Sequence, residues 1–317
     1  MSDAAEQDPN FAEIRDLLPT LPGPDLESGS AAATLAARLR RQGEELGRLA
    51  EHVEWLAAWQ GRTRPGVEVP RIAVFAANHG IARRLAAESE WGTGDWVEAT
   101  VAGKTALNRV ATELDADLRI YELALEQPSG DFTSGPALSE ADCARAMAYG
   151  MMTVEEGFDL MVIGGFGLGN ESAARALAAA LLGETAETWG AGDAETAAIA
   201  EGLARHGGDG DGLDLLRAFG GLEMAAAAGA LIACRLARLP VVLDGFAALA
   251  AGAALWRLDD RLLGHCRAAS GGSGAYDRLR QAVALPALSE AGATAGSGLA
   301  GAASLPVLRA AVRALAV

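Results

Sequence analysis

The chain has 317 residues, of which 50% are hydrophobic and 21% are charged, and its formal net charge is −16. This composition predicts a folded protein that buries one extensive core, with or without a smaller satellite domain. The arginines are scattered and lysine occurs once, so no basic patch offsets the negative charge. We therefore expect no nucleic-acid partner, because a phosphate backbone would be repelled.

The three cysteines, Cys143, Cys234 and Cys266, are far apart and show no metal-ligand spacing. This argues against a disulfide framework or a zinc site. The first residues, MSDAAEQDPN, are acidic and polar, unlike a signal peptide. The longest apolar stretch, residues 224–256, is interrupted by arginine, proline and aspartate, which favours buried helices around a strand over a membrane span. We expect a cytoplasmic protein without a membrane partner.

Near the N-terminus, Pro19, Pro22 and Pro24 interrupt any helix, and we expect ordered helix to resume at Ser30. Residues 30–61 then carry leucines and a valine at helical spacing, with charges on the other face. This pattern predicts one or two helices that pack on the main body.

The middle of the chain alternates apolar runs with helical patterns. Predicted strands are RIAVFAANHG (71–80), DLRIYELAL (117–125), DLMVIGG (159–165) and LPVVLDGF (239–246). Predicted helices are TALNRVATEL (105–114), ADCARAMAYGMMTVEEG (141–157), NESAARALAAALLG (170–183) and GGLEMAAAAGALIACRLAR (220–238). Apolar strands that are each followed by a helix indicate an α/β fold with a doubly wound, mostly parallel sheet. Ligands bind such sheets beyond the carboxyl ends of the strands.

A glycine-rich turn follows the third predicted strand and precedes a helix. Gly164, Gly165, Gly167 and Gly169 would let the backbone approach a ligand and present N–H groups to an anion such as phosphate. The spacing is neither the dinucleotide-binding fingerprint nor a P-loop. Tight packing of strand and helix without a ligand explains the turn equally well.

The joint order of several segments resembles the nicotinate-nucleotide–dimethylbenzimidazole phosphoribosyltransferase family. The segments are LGRLAEHVEWLAAWQG, VFAANHGIA, GKTALN, DFTSGPALSEADCARAMAYG, MVIGGFGLGNESAARAL, GGLEMAAAAGALIACRLARLPVVLDGF, GHCRAASGG and GSGLAGAASLPVLRAA. The resemblance implies transfer of phosphoribosyl from nicotinate mononucleotide to a benzimidazole, without a metal or cofactor. It also implies a homodimer, for which the alanine-rich segment AALAAGAALWRL would offer a surface for close helix approach.

The resemblance further implies how the chain is divided. A large α/β domain would span residues 66–260. The N-terminal helices, 1–65, and the C-terminal segment, 261–317, would form a small helical domain, and the latter would also complete the active-site region.

The same resemblance implies a set of binding positions. Gly167, Gly169, Asn170 and Ser172 would cradle phosphate and ribose. Further substrate-binding candidates are Asn78, His79, Gly221, Glu223 and Asp244. Three of them have a structural alternative: His79 as a hydrogen-bonding residue at a strand end, Glu223 as the anchor of a helix N-terminus, and Asp244 as the cap of the next helix. Among the other histidines, His206 and His265 are weaker candidates.

The carboxylates depart from the family pattern. Gly165 stands where the family usually has a glutamate, and Glu171 and Ser172 stand where it usually has two threonines. Ser297 occupies the place of the glutamate that is the best candidate for the general base, and serine cannot take that role at neutral pH without a base of its own. The family also has a lysine between the glycine-rich turn and the GGLE motif, and this chain has none there.

Two functions therefore remain open. One is a phosphoribosyltransferase in which another group, such as Glu171 or Glu290, or water takes the proton. The other is a catalytically silent homologue that binds a nucleotide or an aromatic base, or acts as a partner subunit. Lys104, the single lysine, would either assist an anionic ligand or lie on the surface.

Overall fold

The computed structural model describes residues 9–85, 92–207, 210–272 and 274–315. Residues 1–8, on which the expectation about a signal peptide rests, lie outside these ranges. In the described part of the chain, no helix combines the length and the apolar character that a bilayer span requires.

Five parallel strands form one sheet in the order β2–β1–β3–β4–β5. Their bounds are β1 Pro70–Ala76, β2 Asp117–Glu122, β3 Leu160–Phe166, β4 Val241–Asp244 and β5 Cys266–Ala268. All of β1 and β4 is buried, whereas the edge strand β2 is only partly covered. The predicted doubly wound parallel sheet is confirmed. The strand order reverses between β1 and β3, which is where such sheets open a ligand crevice.

The four predicted strands and the helices that follow them are present, with ends shifted by a few residues. The described helices are α1 Phe11–Leu17, α2 Leu26–Arg41, α3 Arg48–Gln60, α4 Ile81–Arg84, α5 Thr93–Val101, α6 Ala106–Glu113, α7 Glu140–Met152, α8 Asn170–Leu182, α9 Ala186–Trp189, α10 Asp193–His206, α11 Gly212–Phe219, α12 Leu222–Leu236, α13 Gly245–Leu258, α14 Gly274–Ala282 and α15 Leu299–Leu315. Short 3₁₀ turns cover Leu18–Thr20 and Asp260–Leu263.

The expected helix start at Ser30 is wrong by four residues. Asp25 accepts hydrogen bonds from the backbone N–H groups of Glu27 and Ser28 and so caps α2, which begins at Leu26. A further helix, α1, precedes the prolines, and Phe11 at its start is fully buried. Sequence patterns also missed β5, which has only three residues, and the helices α10 and α11.

Alanine and glycine let the helices of one sheet face pack closely. A Cβ on Gly150 of α7 would lie 1.8 Å from the carbonyl oxygen of Ala226, and one on Gly229 of α12 would lie 1.9 Å from that of Met147. These two helices therefore meet backbone to backbone. Helix α13, proposed above as a dimer surface, is buried from Gly245 to Leu255 inside the chain. That expectation is wrong, because its small side chains serve intramolecular packing.

The opposite sheet face carries a second core, formed with α3, α6 and α15 around Trp55, Leu56, Leu107 and Leu305. A smaller apolar cluster joins α2, α3 and α15 and includes Leu39, Val53 and Leu315. The two chain ends therefore pack together.

Asp244, the last residue of β4, attaches the C-terminal helix to the sheet. Its Oδ2 accepts the backbone N–H of Gly301 in α15 at 2.9 Å, and the side chain is 1% exposed. Burial raises the pKa of Asp244 to about 6, although the N–H groups of Gly301, Ala300 and Gly298 oppose that shift. The folded state therefore favours the protonated acid more than the unfolded state does.

This pKa predicts a defined pH dependence of stability. Between about pH 4 and pH 6 the Asp244 carboxyl is protonated in the folded protein but ionised in the unfolded chain. Asp244 therefore lowers the free energy of unfolding at neutral pH, and this cost shrinks as the pH falls through that range. Asp244→Asn cannot titrate, so between pH 7.5 and 4.5 the wild type should gain about 2 kcal/mol relative to this variant. Urea unfolding of both proteins across that range measures the difference. A difference that stays constant with pH would contradict the assignment.

Candidate functional site

His79 and Glu223 meet at the carboxyl edge of the sheet, beside the switch between β1 and β3. His79 Nε2 lies 2.6 Å from Glu223 Oε1, and the two residues are 2% and 0% exposed. Glu223 is the second residue of α12, where the helix dipole stabilises a negative charge. Its other oxygen, Oε2, is buried and has no hydrogen-bond partner among the described residues. The pair thus holds one acceptor that the fold leaves unused.

Gly221 is required by this pair. A Cβ at this position would lie 2.4 Å from His79 Cε1 and 2.6 Å from Glu223 Oε2. The structure therefore gives Gly221 a packing role at the site, next to the unused carboxylate oxygen.

Asn78 connects three loops around the site. Its Oδ1 accepts hydrogen bonds from Thr93 Oγ1 at 2.5 Å and from the backbone N–H of Leu168 at 3.2 Å. Its Nδ2 donates to the carbonyl oxygen of Leu125 at 3.1 Å. A carboxylate at position 78 could not make that donation. Thr93 also accepts the Leu168 N–H, and no pattern in the sequence indicated its part in the site.

The glycine turn leads into the N-terminus of α8. A Cβ on Gly167 would lie 1.6 Å from the carbonyl oxygen of Ala77, so this glycine permits contact between the loops after β1 and β3. Gly169 has φ +80°, a left-handed conformation that favours glycine, and it is the N-cap of α8. Asn170 donates to the carbonyl oxygen of Gly165 at 3.0 Å. The backbone N–H of Asn170 is bonded to the carbonyl oxygen of Gly167, and the first turn of α8 offers its remaining N–H groups at the kind of helix end that binds anions.

The two polar residues after the turn both have side-chain partners, Glu171 on its own helix and Ser172 on α10. Glu171 forms an ion pair with Arg175 at 2.6 Å, and its side chain is 64% exposed. Ser172 Oγ donates to Glu195 Oε1 at 2.5 Å. The charge of Glu171 is therefore balanced one helical turn away. Neither Arg175 nor Glu195 was identified from the sequence. Arg175 is connected to the turn through its i,i+4 pair with Glu171, and Glu195 through helix α10, which was not predicted.

The C-terminal loop brings Ser297 to the same edge. A Cβ on its neighbour Gly296 would lie 2.3 Å from the carbonyl oxygen of Gly165. Ser297 itself is half-buried. A Cβ on Gly165 would lie 3.0 Å from that of Ala247 and 3.6 Å from Glu223 Cγ. The two positions without carboxylates thus adjoin each other, and one of them adjoins Glu223.

Asp244 is a cap, but of a different helix from the one expected. It makes no capping bond to α13, the next helix, and its Oδ2 is bonded to Gly301 of α15. A ribose hydroxyl would have to compete with that bond.

The remaining candidates lie outside the pair and the turn. His265 is buried with its pKa lowered to about 3 by desolvation, and its Nε2 contacts the carbonyl oxygen of Leu231. His206 Nε2 lies 3.0 Å from the carbonyl oxygen of Phe132. Glu290 is 69% exposed and lies 3.9 Å from Arg48, and Lys104 is exposed. Across the described ranges, His, Cys, Asp and Glu residues form no group of three or more that could hold a metal ion.

An aromatic pair borders the site. Phe166, the last residue of β3, lies 4.4 Å from Trp96 of α5 between ring centroids, and the rings are tilted by 35°. Trp96 follows Thr93 by one helical turn, so it was not recognisable as part of the site without the fold.

Comparison with known proteins yields one family. A family model described as "Phosphoribosyltransferase" matches residues 21–317. A protein of Roseobacter denitrificans named nicotinate-nucleotide–dimethylbenzimidazole phosphoribosyltransferase is 41% identical over 314 residues, covering 96% of this chain and 93% of its own. A protein of the same name from Brucella anthropi is 40% identical over 267 residues, or 81% of this chain and 79% of its own.

Solved structures agree with the sequence relatives. The crystal structure of the protein of that name from Thermus thermophilus superposes with a TM-score of 0.83 at 27% identity, covering 92% of this chain and 96% of that one. The chain therefore belongs to the nicotinate-nucleotide–dimethylbenzimidazole phosphoribosyltransferase family.

Proposed function

We propose that the protein transfers phosphoribosyl from nicotinate mononucleotide to 5,6-dimethylbenzimidazole, which yields α-ribazole 5′-phosphate for cobalamin assembly. The observation that carries the proposal is the convergence of the α8 N-terminus and the His79–Glu223 pair at the sheet's switch point. The relatives that are about 40% identical bear the name of this activity.

The α8 N-terminus suits the nucleotide phosphate. Its first-turn N–H groups and its dipole favour an anion, and the Gly167–Asn170 turn brings the backbone close to it. Because Arg175 pairs with Glu171, the carboxylate nearest this turn does not stand as an isolated repelling charge. Asn78 and Thr93 hold Leu168, and thereby the turn, in place.

The base needs a flat apolar contact and an acceptor for its proton. Phe166 and Trp96 supply aromatic surface beside the turn. In the transfer, the unprotonated benzimidazole nitrogen donates its lone pair to the anomeric carbon of ribose, and the bond from that carbon to the nicotinate nitrogen breaks with its electrons moving to the ring. The proton on the other benzimidazole nitrogen must leave. Glu223 Oε2 is the buried acceptor at this edge that no group of the described residues uses.

A silent homologue is the second candidate function, and specific observations favour it. Positions 165 and 297 carry no carboxylate, and the side chains of Ser172 and Asp244 are already bonded within the protein. In that case the site would bind a nucleotide or an aromatic base without turnover.

We further propose that the protein is a cytoplasmic homodimer, and that residues 1–65 and 261–317 form a small domain beside a large domain of residues 66–260. The cluster that joins α2, α3 and α15 supports the small domain. Helix α1, although within residues 1–65, packs with the main core through Phe11 and Ile14. The exposed side chain of Met152, at 72%, and the partly exposed Tyr149 leave apolar surface on α7 for a second subunit.

The homodimer predicts a sedimenting species of about twice the 32.4 kDa chain mass at micromolar concentration. Analytical ultracentrifugation over a hundredfold dilution measures it. A single species at the chain mass throughout that range would refute the dimer.

Restoring a carboxylate at position 297 should accelerate turnover. We expect slow release of nicotinate by the wild type and a gain of ~10²–10⁴-fold in kcat for Ser297→Glu, the usual contribution of a positioned general base. Ser297→Gln is the control, because it adds the same bulk without a charge. Chromatography of nicotinate and α-ribazole phosphate follows the reaction. A wild type that already turns over at ~1–10³ s⁻¹ would show that another group is the base.

The residual activity should depend on Glu223. Glu223→Gln keeps the shape and a hydrogen-bonding group for His79 but removes the proton acceptor, and we expect nicotinate release to fall by at least ~10²-fold. Glu290→Gln is the control with an exposed carboxylate and should remain near the wild-type rate. Binding of nicotinate mononucleotide, measured by calorimetry, should persist in both variants. Equal rates for wild type and Glu223→Gln would exclude Glu223 as the acceptor.

A further inference from the structure

A cavity lies at the opposite end of the sheet from the candidate site. It has a volume of about 420 Å³ and sits below the amino ends of β4 and β5, between the end of α12, the 3₁₀ turn Asp260–Leu263 and the chain segment after Leu18–Thr20. The strand-end site described above faces the other way, because all five strands are parallel. The cavity is therefore separate from the proposed catalytic site.

Arg235 lines this cavity as a buried cation without a carboxylate. The residue is 6% exposed, and its guanidinium lies 4.9 Å from the Trp59 ring centre. One nitrogen, Nη1, donates to the carbonyl oxygen of Arg261 at 2.5 Å, whereas Nε has no partner among the described residues. Within the same part of the chain, no carboxylate lies within ion-pair distance of Arg235.

The acidic side chain that borders the cavity is already engaged. Asp259 accepts hydrogen bonds from Nη2 of Arg261 at 2.5 Å, from its Nε at 2.9 Å and from its backbone N–H at 2.9 Å. The nearby Arg238 donates to the carbonyl oxygen of Gly23. Burial lowers the pKa of Arg235, but an arginine remains charged at neutral pH. A buried charge is costly unless it is paired. Asp259 attracts Arg235 at longer range but is hydrogen-bonded to Arg261, so Arg235 has no carboxylate of its own.

The rest of the lining is largely apolar. It includes Leu18, Leu21, Pro24, Trp59 and Leu262. A cavity of this size that is lined mainly by apolar residues and holds one cation without a carboxylate of its own matches a small molecule with one anionic end and an apolar body.

We propose that this cavity binds a small aromatic or aliphatic carboxylic acid, with its carboxylate on the Arg235 guanidinium and its body against Leu21, Pro24 and Trp59. Arginine presents its N–H donors in a fork that fits the two oxygens of a carboxylate. The exposed Arg261, at 81%, lies at the rim, where its charge is paired with that of Asp259. This binding does not depend on the activity proposed above.

The test uses 4-fluorobenzoate as the probe and the neutral 4-fluorobenzamide as its counterpart, with binding followed by ¹⁹F NMR. We expect the wild type to bind the acid at submillimolar to millimolar concentration and the amide at least tenfold more weakly. Arg235→Gln should weaken binding of the acid at least tenfold. Arg257→Gln is the matched control, because this exposed arginine lies on α13, away from the cavity lining, and its replacement removes the same charge.

Two further measurements keep the outcome decisive. Leu21→Trp, which fills the cavity from a half-buried position, should abolish binding even if Arg235→Gln fails to fold. Saturating nicotinate mononucleotide should leave benzoate binding unchanged, because the nucleotide is placed at the other edge of the sheet. Displacement by the nucleotide, equal binding of acid and amide, or no binding at about 10 mM probe would overturn the proposal, and in the last case water alone hydrates Arg235.

Discussion

The contact between the loops that follow β1 and β3 determines the arrangement of the site. Gly167 approaches the carbonyl oxygen of Ala77 more closely than any Cβ would allow, and Asn78 then bonds the Leu168 N–H. Because of this contact, the end of β1 lies against the start of α8. His79 is thereby brought to Glu223, and the first turn of α8 lies near the same point. The phosphate site and the proton acceptor proposed above thus both depend on one backbone approach.

The small residues of the core likewise allow backbones to approach each other closely. In α7 and α12, Gly150 and Gly229 let the helix backbones touch, and the alanine-rich α13 is buried beside them. Close-packed interiors of this kind leave little freedom for adjustment. The loops at the strand ends are therefore attached to a rigid support, which is what a site with atoms placed to within fractions of an ångström requires.

Sequence patterns predicted the sheet because its strands are continuous apolar runs with helices between them. They missed β5 because three residues carry no periodicity, and they placed the start of α2 too late because the cap Asp25 lies among prolines. The glycine turn was identified from a local motif, and Glu223 from the family resemblance. Their environment was not, since the contact of His79 with Glu223 spans 144 residues and that of Asp244 with Gly301 spans 57. Spacing along the chain holds no information about such contacts.

Helix α12 joins the two polar regions of the molecule. It carries Glu223 at its second residue and Arg235 next to its last, so an acid lies at the positive end of its dipole and a base at the negative end. Each interaction contributes ~0.3–1 kcal/mol, up to ~2 kcal/mol when partly buried. For Glu223 the histidine contact adds to this, and the acid is paired. For Arg235 the dipole, a cation–π contact with Trp59 worth ~0.5–2 kcal/mol and one carbonyl oxygen stand against an effective burial penalty of several kcal/mol per ion. These terms do not fully offset the cost of burying Arg235, whereas Glu223 is supported by His79. Glu223 is therefore an acceptor that the fold itself stabilises, whereas the counter-charge that we propose for Arg235 comes from a bound ligand.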